Sequence, residues 1–317
     1  MHIPDGFLGA GTLISTAVLS AAVVTQALRV LRRDLPARRV PLIGLTAAFV
    51  FAAQMLNFPV AAGTSGHLIG AALATVLLGP AAAIVTMTAV LLLQCLMFAD
   101  GGLLALGANV LNLAVIAPLS AWAVLGLMRR LSGDGVRSLL VAAGFAAWCS
   151  TVAAALACAL ELSASGVVGP RTAVYAMGGV HMLIGLGEAV ITMLVLAVVV
   201  RARPELIEVG RGAPAASARR PARYAAPLAI ATMLLAAPFA SRLPDGLERV
   251  ADELGFAARA TSTAGAPLGG YEFPWLMSGG SWLGVVIAGA LGASVAYLTA
   301  WVLARTLAAA PGKLARR

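Results

Sequence analysis

The sequence predicts an all-α protein that crosses a membrane many times: a seven-helix bundle, then a two-helix hairpin module carrying a small extracytoplasmic segment. Three observations carry this. The chain of 317 residues is 61% hydrophobic and only 11% charged, where soluble globular chains hold roughly 25% charged residues. Its apolar residues fall in runs of about 20, the length a helix needs to cross a bilayer. These runs lack strand alternation, and lipid admits only helices or closed barrels. Finally, 18 of the 22 lysines and arginines lie in four stretches, 29–39, 129–137, 201–223 and 305–317, at the ends of apolar runs. That is the positive-inside pattern, so the net charge of +9 orients the chain in a bilayer and is not a nucleic-acid footprint.

The first span runs from Phe7 to Leu28. No basic residue precedes it and five arginines follow it within the next stretch, the reverse of a signal peptide. This predicts an uncleaved amino terminus outside the cytoplasm and a cytoplasmic carboxyl terminus. The second span, Pro41 to Asn57, returns outward. Residues 58–67 read as an outer loop or broken helix rich in small residues. His67 to Leu78 is a short third span, stopped and restarted at Gly79-Pro80. Ala81 to Phe98 is the fourth span, and Asp100-Gly101-Gly102 an outer turn. Gly107 to Leu127, Ser138 to Leu160 and Ala176 to Val200 are the fifth, sixth and seventh. Alternation along these spans puts every arginine-rich stretch on one side.

Residues 1–203 thus form the seven-span module. Residues 204–223, with Pro204, Pro214 and Pro221, read as a cytoplasmic linker. Residues 224–309 form the second module: spans Tyr224 to Ala240 and Trp282 to Leu307 around an outer segment, 241–281. That segment carries Asp245, Glu248, Asp252, Glu253 and Glu272. It is too small to build a core alone and is expected to pack on the first module. Outside, eight acids (those five with Asp5, Asp100 and Glu161) face four arginines, a modest excess that attracts cations. Cys95, Cys149 and Cys158 show no paired spacing and read as small core residues.

The chemistry is concentrated at the start, Met1-His2-Ile3-Pro4-Asp5-Gly6. A histidine at position 2 places three nitrogen donors in sequence: the terminal amine, the His2 amide and the His2 imidazole Nδ1. With the amide deprotonated, a metal closes a five-membered and a six-membered ring in one plane, leaving one in-plane position open. Planar nitrogen donors suit Ni(II) and Cu(II), and imidazole also serves cobalt and zinc. His67 and His181 are the only other histidines. Pro4, Asp5 and Gly6 make a turn before the first span, which favours a folded terminus over a frayed one.

The first module resembles the CbiM/NikM family, the substrate-binding membrane subunits of energy-coupling factor (ECF) transporters for cobalt and nickel. The residues that carry the resemblance are the opening six, Asn57 to Val60, Gly63-Thr64-Ser65-Gly66-His67-Leu68, Gly107 to Asn112, and His181 to Glu188. The second module resembles the small companion subunit often fused to them: Pro244-Asp245-Gly246-Leu247-Glu248 matches the motif that names the PDGLE domain. The resemblance implies an S-component-like fold and a fused NikMN-type chain in a bacterial inner membrane. It implies Ni(II) or Co(II) as transported substrate, held by Met1, His2 and His67. It also implies partners: two ABC-type ATPase subunits and a transmembrane coupling subunit.

Around these donors, Asn57, Thr64, Ser65, Asn109 and Asn112 lie near the depth of His67. They either hold its second nitrogen, as a metal-bound histidine requires, or bond helices together. His181 and Glu188 are seven residues apart and share a helix face. A carboxylate inside a span is costly and points to function. They read as groups orienting neighbouring helices or loops, with a second metal site or a proton relay as the other reading. The relay belongs to an alternative function, a proton-coupled secondary metal transporter. No HExxH, GxSxG triad or Walker loop is present in the sequence, so the chain reads as a non-catalytic transport subunit that borrows its ATPase.

Overall fold

The computed structural model describes residues 1–133, 135–208, 241, 243–261, 265–271 and 282–308. Its helices are α1 (Ala10–Asp34), α2 (Val40–Gln54), α3 (Ala71–Leu78), α4 (Pro80–Phe98), α5 (Leu106–Ser132), α6 (Val136–Ala164), α7 (Pro170–Ala202), α8 (Gly246–Glu253) and α9 (Trp282–Leu307). Two short strands, β1 (Asn57–Val60) and β2 (Thr64–His67), form an antiparallel hairpin between α2 and α3. Six helices, α1, α4, α5, α6, α7 and most of α9, are long and apolar enough to cross a membrane. The expected span Tyr224 to Ala240, the linker beyond residue 208 and parts of the outer segment lie outside the described residues.

Burial separates the central helices from the lipid-facing ones. On α1 only Thr16, Ser20, Ala27 and Leu31 are buried, while Ile14, Val18 and Leu19 are exposed and suit a lipid boundary. On α2, 11 of 15 residues are buried, as befits a helix apolar on every side. Helix α9 packs across α2 through small residues, which let backbones approach closely. A Cβ at Gly292 would fall 2.2 Å from the Phe51 ring, and one at Gly44 would fall 3.0 Å from Tyr297. The last turns of α1, α5, α7 and α9 carry Arg32 and Arg33, Arg129 and Arg130, Arg201, and Arg305.

The third span is where the structure departs from expectation. His67 to Leu78 is not a spanning helix. His67 ends β2, and α3 is eight residues long, about 12 Å at 1.5 Å per residue. The segment read as a loop is the hairpin, with Asn57 opposite His67 and Val60 opposite Thr64. Glycine explains the change. Gly66 lies so near α7 that a Cβ would sit 2.5 Å from Ile184 Cγ2, and Gly70, at φ +77°, turns the chain from strand into α3. All of β2 and α3 is buried, so this irregular backbone is tolerated at depth because protein surrounds it.

The outer segment lies along the hairpin. Ser65 N donates to Pro244 O at 2.9 Å, and Ser241 N donates to Asn57 O at 2.7 Å. Asp245 then caps α8. Its Oδ1 accepts from Leu247 N at 2.8 Å and Glu248 N at 2.9 Å, and the Glu248 carboxylate accepts from Asp245 N at 2.9 Å. This reciprocal pair is a capping box.

Candidate metal centre

The first residues are folded into the protein: Met1 is 4% exposed and Ile3 is fully buried. Asn109 grips Ile3 from both sides, its Oδ1 accepting from Ile3 N at 2.7 Å and its Nδ2 donating to Ile3 O at 3.0 Å. Asp5 supplies the second anchor. Its carboxylate accepts the backbone N–H groups of Leu103, Leu104 and Ala105 at 3.0, 2.9 and 3.0 Å, just before α5 begins. Its carbonyl accepts from Thr261 N at 2.8 Å. Gly102 makes this possible, since a Cβ there would fall 2.1 Å from Asp5 Oδ1. Gly6 does the same on the other side, at φ +90° and pressed against Arg259 O.

This folding carries the Met1 amine to the end of the hairpin. The amine lies 2.8 Å from His67 Nε2 and forms an ion pair with Asp245. An ammonium has only donors to offer, so Nε2 accepts. The His67 proton is therefore on Nδ1, which faces Leu68 O at 3.4 Å. The His67 ring stacks on His2, with centroids 5.2 Å apart and planes at 15°. His2 Nδ1 lies 3.1 Å from Asp100 Oδ1. Tyr271 OH donates to the other Asp100 oxygen at 2.5 Å.

The chemistry of these atoms fits a small planar metal. Two nitrogens bound at about 2.0 Å and at a right angle are about 2.8 Å apart, which matches the Met1–His67 separation. Among the described residues, no three His, Cys, Asp or Glu side chains converge as a metal cluster. Of the expected donors, the Met1 amine and His67 Nε2 are brought together, while His2 Nδ1 faces Asp100.

Electrostatics keep the pieces in complementary states. Burial, then the neighbouring ammonium and His2, push the His67 imidazole down to about 3, so the ring is neutral at neutral pH and Nε2 keeps an unprotonated lone pair. Burial opposes ionisation of Asp245, yet the Met1 ammonium outweighs it and holds the carboxyl below its usual range. Burial likewise opposes ionisation of Asp100, and His2 and the Tyr271 hydroxyl outweigh it.

The remaining polar residues divide. Ser65 Oγ donates to Leu243 O at 2.6 Å and so fastens the outer segment. Asn57 meets His67 through the hairpin register, and Thr64 lies at the far end of β2. Asn112 donates to Glu161 at 2.7 Å, within a π-helical stretch of α5, Val110–Ile116. None of these, nor Asn109, bonds the second nitrogen of His67, which faces its neighbour's carbonyl. Glu188 accepts from Ile69 N at 2.6 Å and Gly70 N at 2.9 Å, and so fixes the backbone just after His67. His181 Nδ1 donates to Met177 O at 2.8 Å. Its Nε2 is buried without a partner among the described residues. It borders a cavity of about 10 Å³ lined also by Met1, His67, Asp245 and Gly246.

Sequence reasoning read Asp5 and Asp100 as turn residues and outer acids and Asp245 as an outer acid of the PDGLE motif, assigned none of them to the site, and passed over Tyr271. The one local signal was the PDGLE motif, which marked Asp245 without revealing its partner.

The family model for CbiM, the cobalt uptake substrate-specific transmembrane region, matches residues 2–206. The chain belongs to the CbiM family. It is 39% identical over 233 residues to the fused nickel transport protein NikMN of Rhodobacter capsulatus, covering 69% of this chain and 67% of that protein. A provisionally named fused nickel transport protein NikMN of Archaeoglobus fulgidus is 35% identical over 307 residues, 96% of this chain and 98% of the relative. A crystal structure of a truncated transition metal transporter is 34% identical with a TM-score of 0.58, covering 64% of this chain and 99% of the other. Likeness to the Archaeoglobus fulgidus relative thus reaches beyond residues 2–206.

Proposed function

We propose that this multi-pass membrane protein captures Ni(II) or Co(II) from outside the cell for ATP-driven uptake, as the substrate subunit of an energy-coupling factor transporter. The relatives are named for nickel and cobalt transport. The observation that carries the reading is the buried Met1 amine at 2.8 Å from His67 Nε2. The metal is held by the amine, the amide and Nδ1 of His2, and Nε2 of His67. Binding displaces the protons on the amine, the amide and His2 Nδ1, as ligand deprotonation requires. Asp100 gives up its contact with Nδ1 in the same step. Asn109 and Asp5 hold the chelate in place, and Glu188 holds the turn beside His67.

The amino terminus is outside, on the face opposite the arginine-rich helix ends, by the positive-inside rule. Residues 1–203 act as the capture module, 204–223 as a linker and 224–309 as the companion module. The energy comes from the partners that the family resemblance implies, two ATPase subunits and a transmembrane coupling subunit. Cell uptake of radiolabelled nickel tests this. Uptake is expected only when those partners are co-expressed, and is expected to be lost in His67→Ala. Uptake that persists without ATPase partners and follows the proton gradient refutes the ATP-driven reading. The relay version of that alternative has little support in Glu188, whose two oxygens are both taken by backbone N–H groups.

A further inference from the structure

The second module places a carboxylate inside the metal centre, and its geometry is that of a ligand. The Met1 amine and His67 Nε2 are 2.8 Å apart. Asp245 Oδ2 contacts the same amine and lies 4.0 Å from His67 Nε2. A square with a 2.8 Å edge has a diagonal of about 4.0 Å, twice a metal–nitrogen bond of about 2.0 Å. The separation of His67 Nε2 and Asp245 Oδ2 therefore matches that of two ligands opposite each other on one metal, with the amine, in contact with both, at the corner between them.

The carboxylate is held there by both of its neighbourhoods. Oδ1 is committed to the cap of α8, through Leu247 N and Glu248 N, which leaves Oδ2 facing the site. Leu243 O and Pro244 O are tied to Ser65, two residues from His67, so the position of Asp245 is registered to that histidine by the hairpin. Gly246 allows the approach, because a Cβ there would fall 2.6 Å from the ring of His181. His181 closes the far side of the small cavity that Met1, His67 and Asp245 share, and its buried Nε2 is unpartnered among the described residues.

We propose that Asp245 is a capture ligand: an incoming divalent transition metal is first held by the Met1 amine, His67 Nε2 and Asp245 Oδ2, before the His2 nitrogens close the chelate. This deepens the proposed function and rests on it. The ammonium of Met1 gives up one proton to solvent as the metal enters. The metal–oxygen contact then opens as the His2 amide nitrogen, releasing its own proton to solvent, takes the corner across from His67; the oxidation state does not change, and the carboxylate remains beside the site as counter-ion. The fused module thereby acts on the rate of loading more than on the final affinity. Its PDGLE motif reads chemically: proline and glycine set the approach, the aspartate reaches the metal, and the glutamate completes the cap.

Stopped-flow binding of NiCl₂ to the full chain in nanodiscs tests the proposal, with Asp245→Asn, Asp245→Ser and His67→Ala beside the unaltered protein. Asparagine and serine cap helices as aspartate does, so α8 is retained, and the serine variant decides if the asparagine variant does not fold. The expected result is a fall in association rate of about tenfold or more, with the equilibrium affinity much less affected. The fall is expected to persist at about 0.5 M salt, where long-range attraction is screened. An unaltered rate in both capped variants, while His67→Ala abolishes binding, overturns the capture role and leaves the proposed function standing. A defect that disappears at high salt also overturns it, since charge steering then suffices. Tight binding retained in His67→Ala overturns the proposed function itself.

Discussion

The amine of Met1 and Nε2 of His67 stand 2.8 Å apart although 66 positions separate them in the chain. Everything between them serves that meeting. Helix α1 leaves the site and α2 returns toward it, and the hairpin then turns His67 inward at the end of β2. The opening residues are meanwhile drawn down by Asn109 and by the backbone N–H groups that Asp5 accepts.

Because the chelate depends on how the first residues are anchored, a change that touches no metal donor can disable it. Gly102→Ala places a Cβ 2.1 Å from Asp5 Oδ1 and forces that carboxylate off its three N–H donors. Nickel affinity by calorimetry is expected to fall about 10- to 100-fold, the usual cost of losing support around a metal ligand. The bundle is expected to melt within a few degrees of the unaltered protein.

Much of this was legible in the sequence, and the illegible part has a physical pattern. Helices α4, α6 and α9 follow the apolar runs to within a few residues, because length and hydrophobicity alone decide them. The start of α7 at Pro170 was placed later than it is, since Arg171 and Tyr175 break the apolar run without breaking the helix. The hairpin was missed because Pro59, Gly63 and Gly66 read as loop residues. What holds β2 as a strand is a burial supplied by Ile184 and by the distant segment around Pro244. His2 and His67 could be singled out by their residue type and motif. The contact of Asp245 with Met1, 244 positions away, and the Tyr271–Asp100 bond, 171 positions apart, leave no local trace.

The depressed His67 imidazole gives a pH signature in the metal-free protein. An unfolded histidine titrates near about 6.5, while the folded one stays neutral down to about 3. Between these values the unfolded chain holds the extra proton, so stability falls as pH falls through that window. His67→Gln is expected to flatten the decline between about pH 6.5 and 4, by up to about 1.4 kcal/mol per unit. Thermal melting across this range measures it. Asp100 and Asp245 act lower: their carboxyls are held down, so their stabilisation is present above the usual carboxylate range and is lost below it.

Glu188 separates the structural role from the relay. Glutamine keeps one acceptor for Ile69 N or Gly70 N and leaves the other N–H unmatched, a loss of about 1–3 kcal/mol. Glu188→Gln is therefore expected to lower the melting temperature while retaining ATP-dependent nickel uptake. A fully folded variant with no uptake would falsify the structural assignment.

The most direct test is His2→Ala. It removes the imidazole that closes the six-membered ring and leaves the amine, His67 and Asp245 in place. Titration calorimetry with NiCl₂ on the purified full chain is expected to show affinity reduced by at least about 100-fold in a protein that melts normally. Unchanged affinity would place the metal elsewhere and contradict the account.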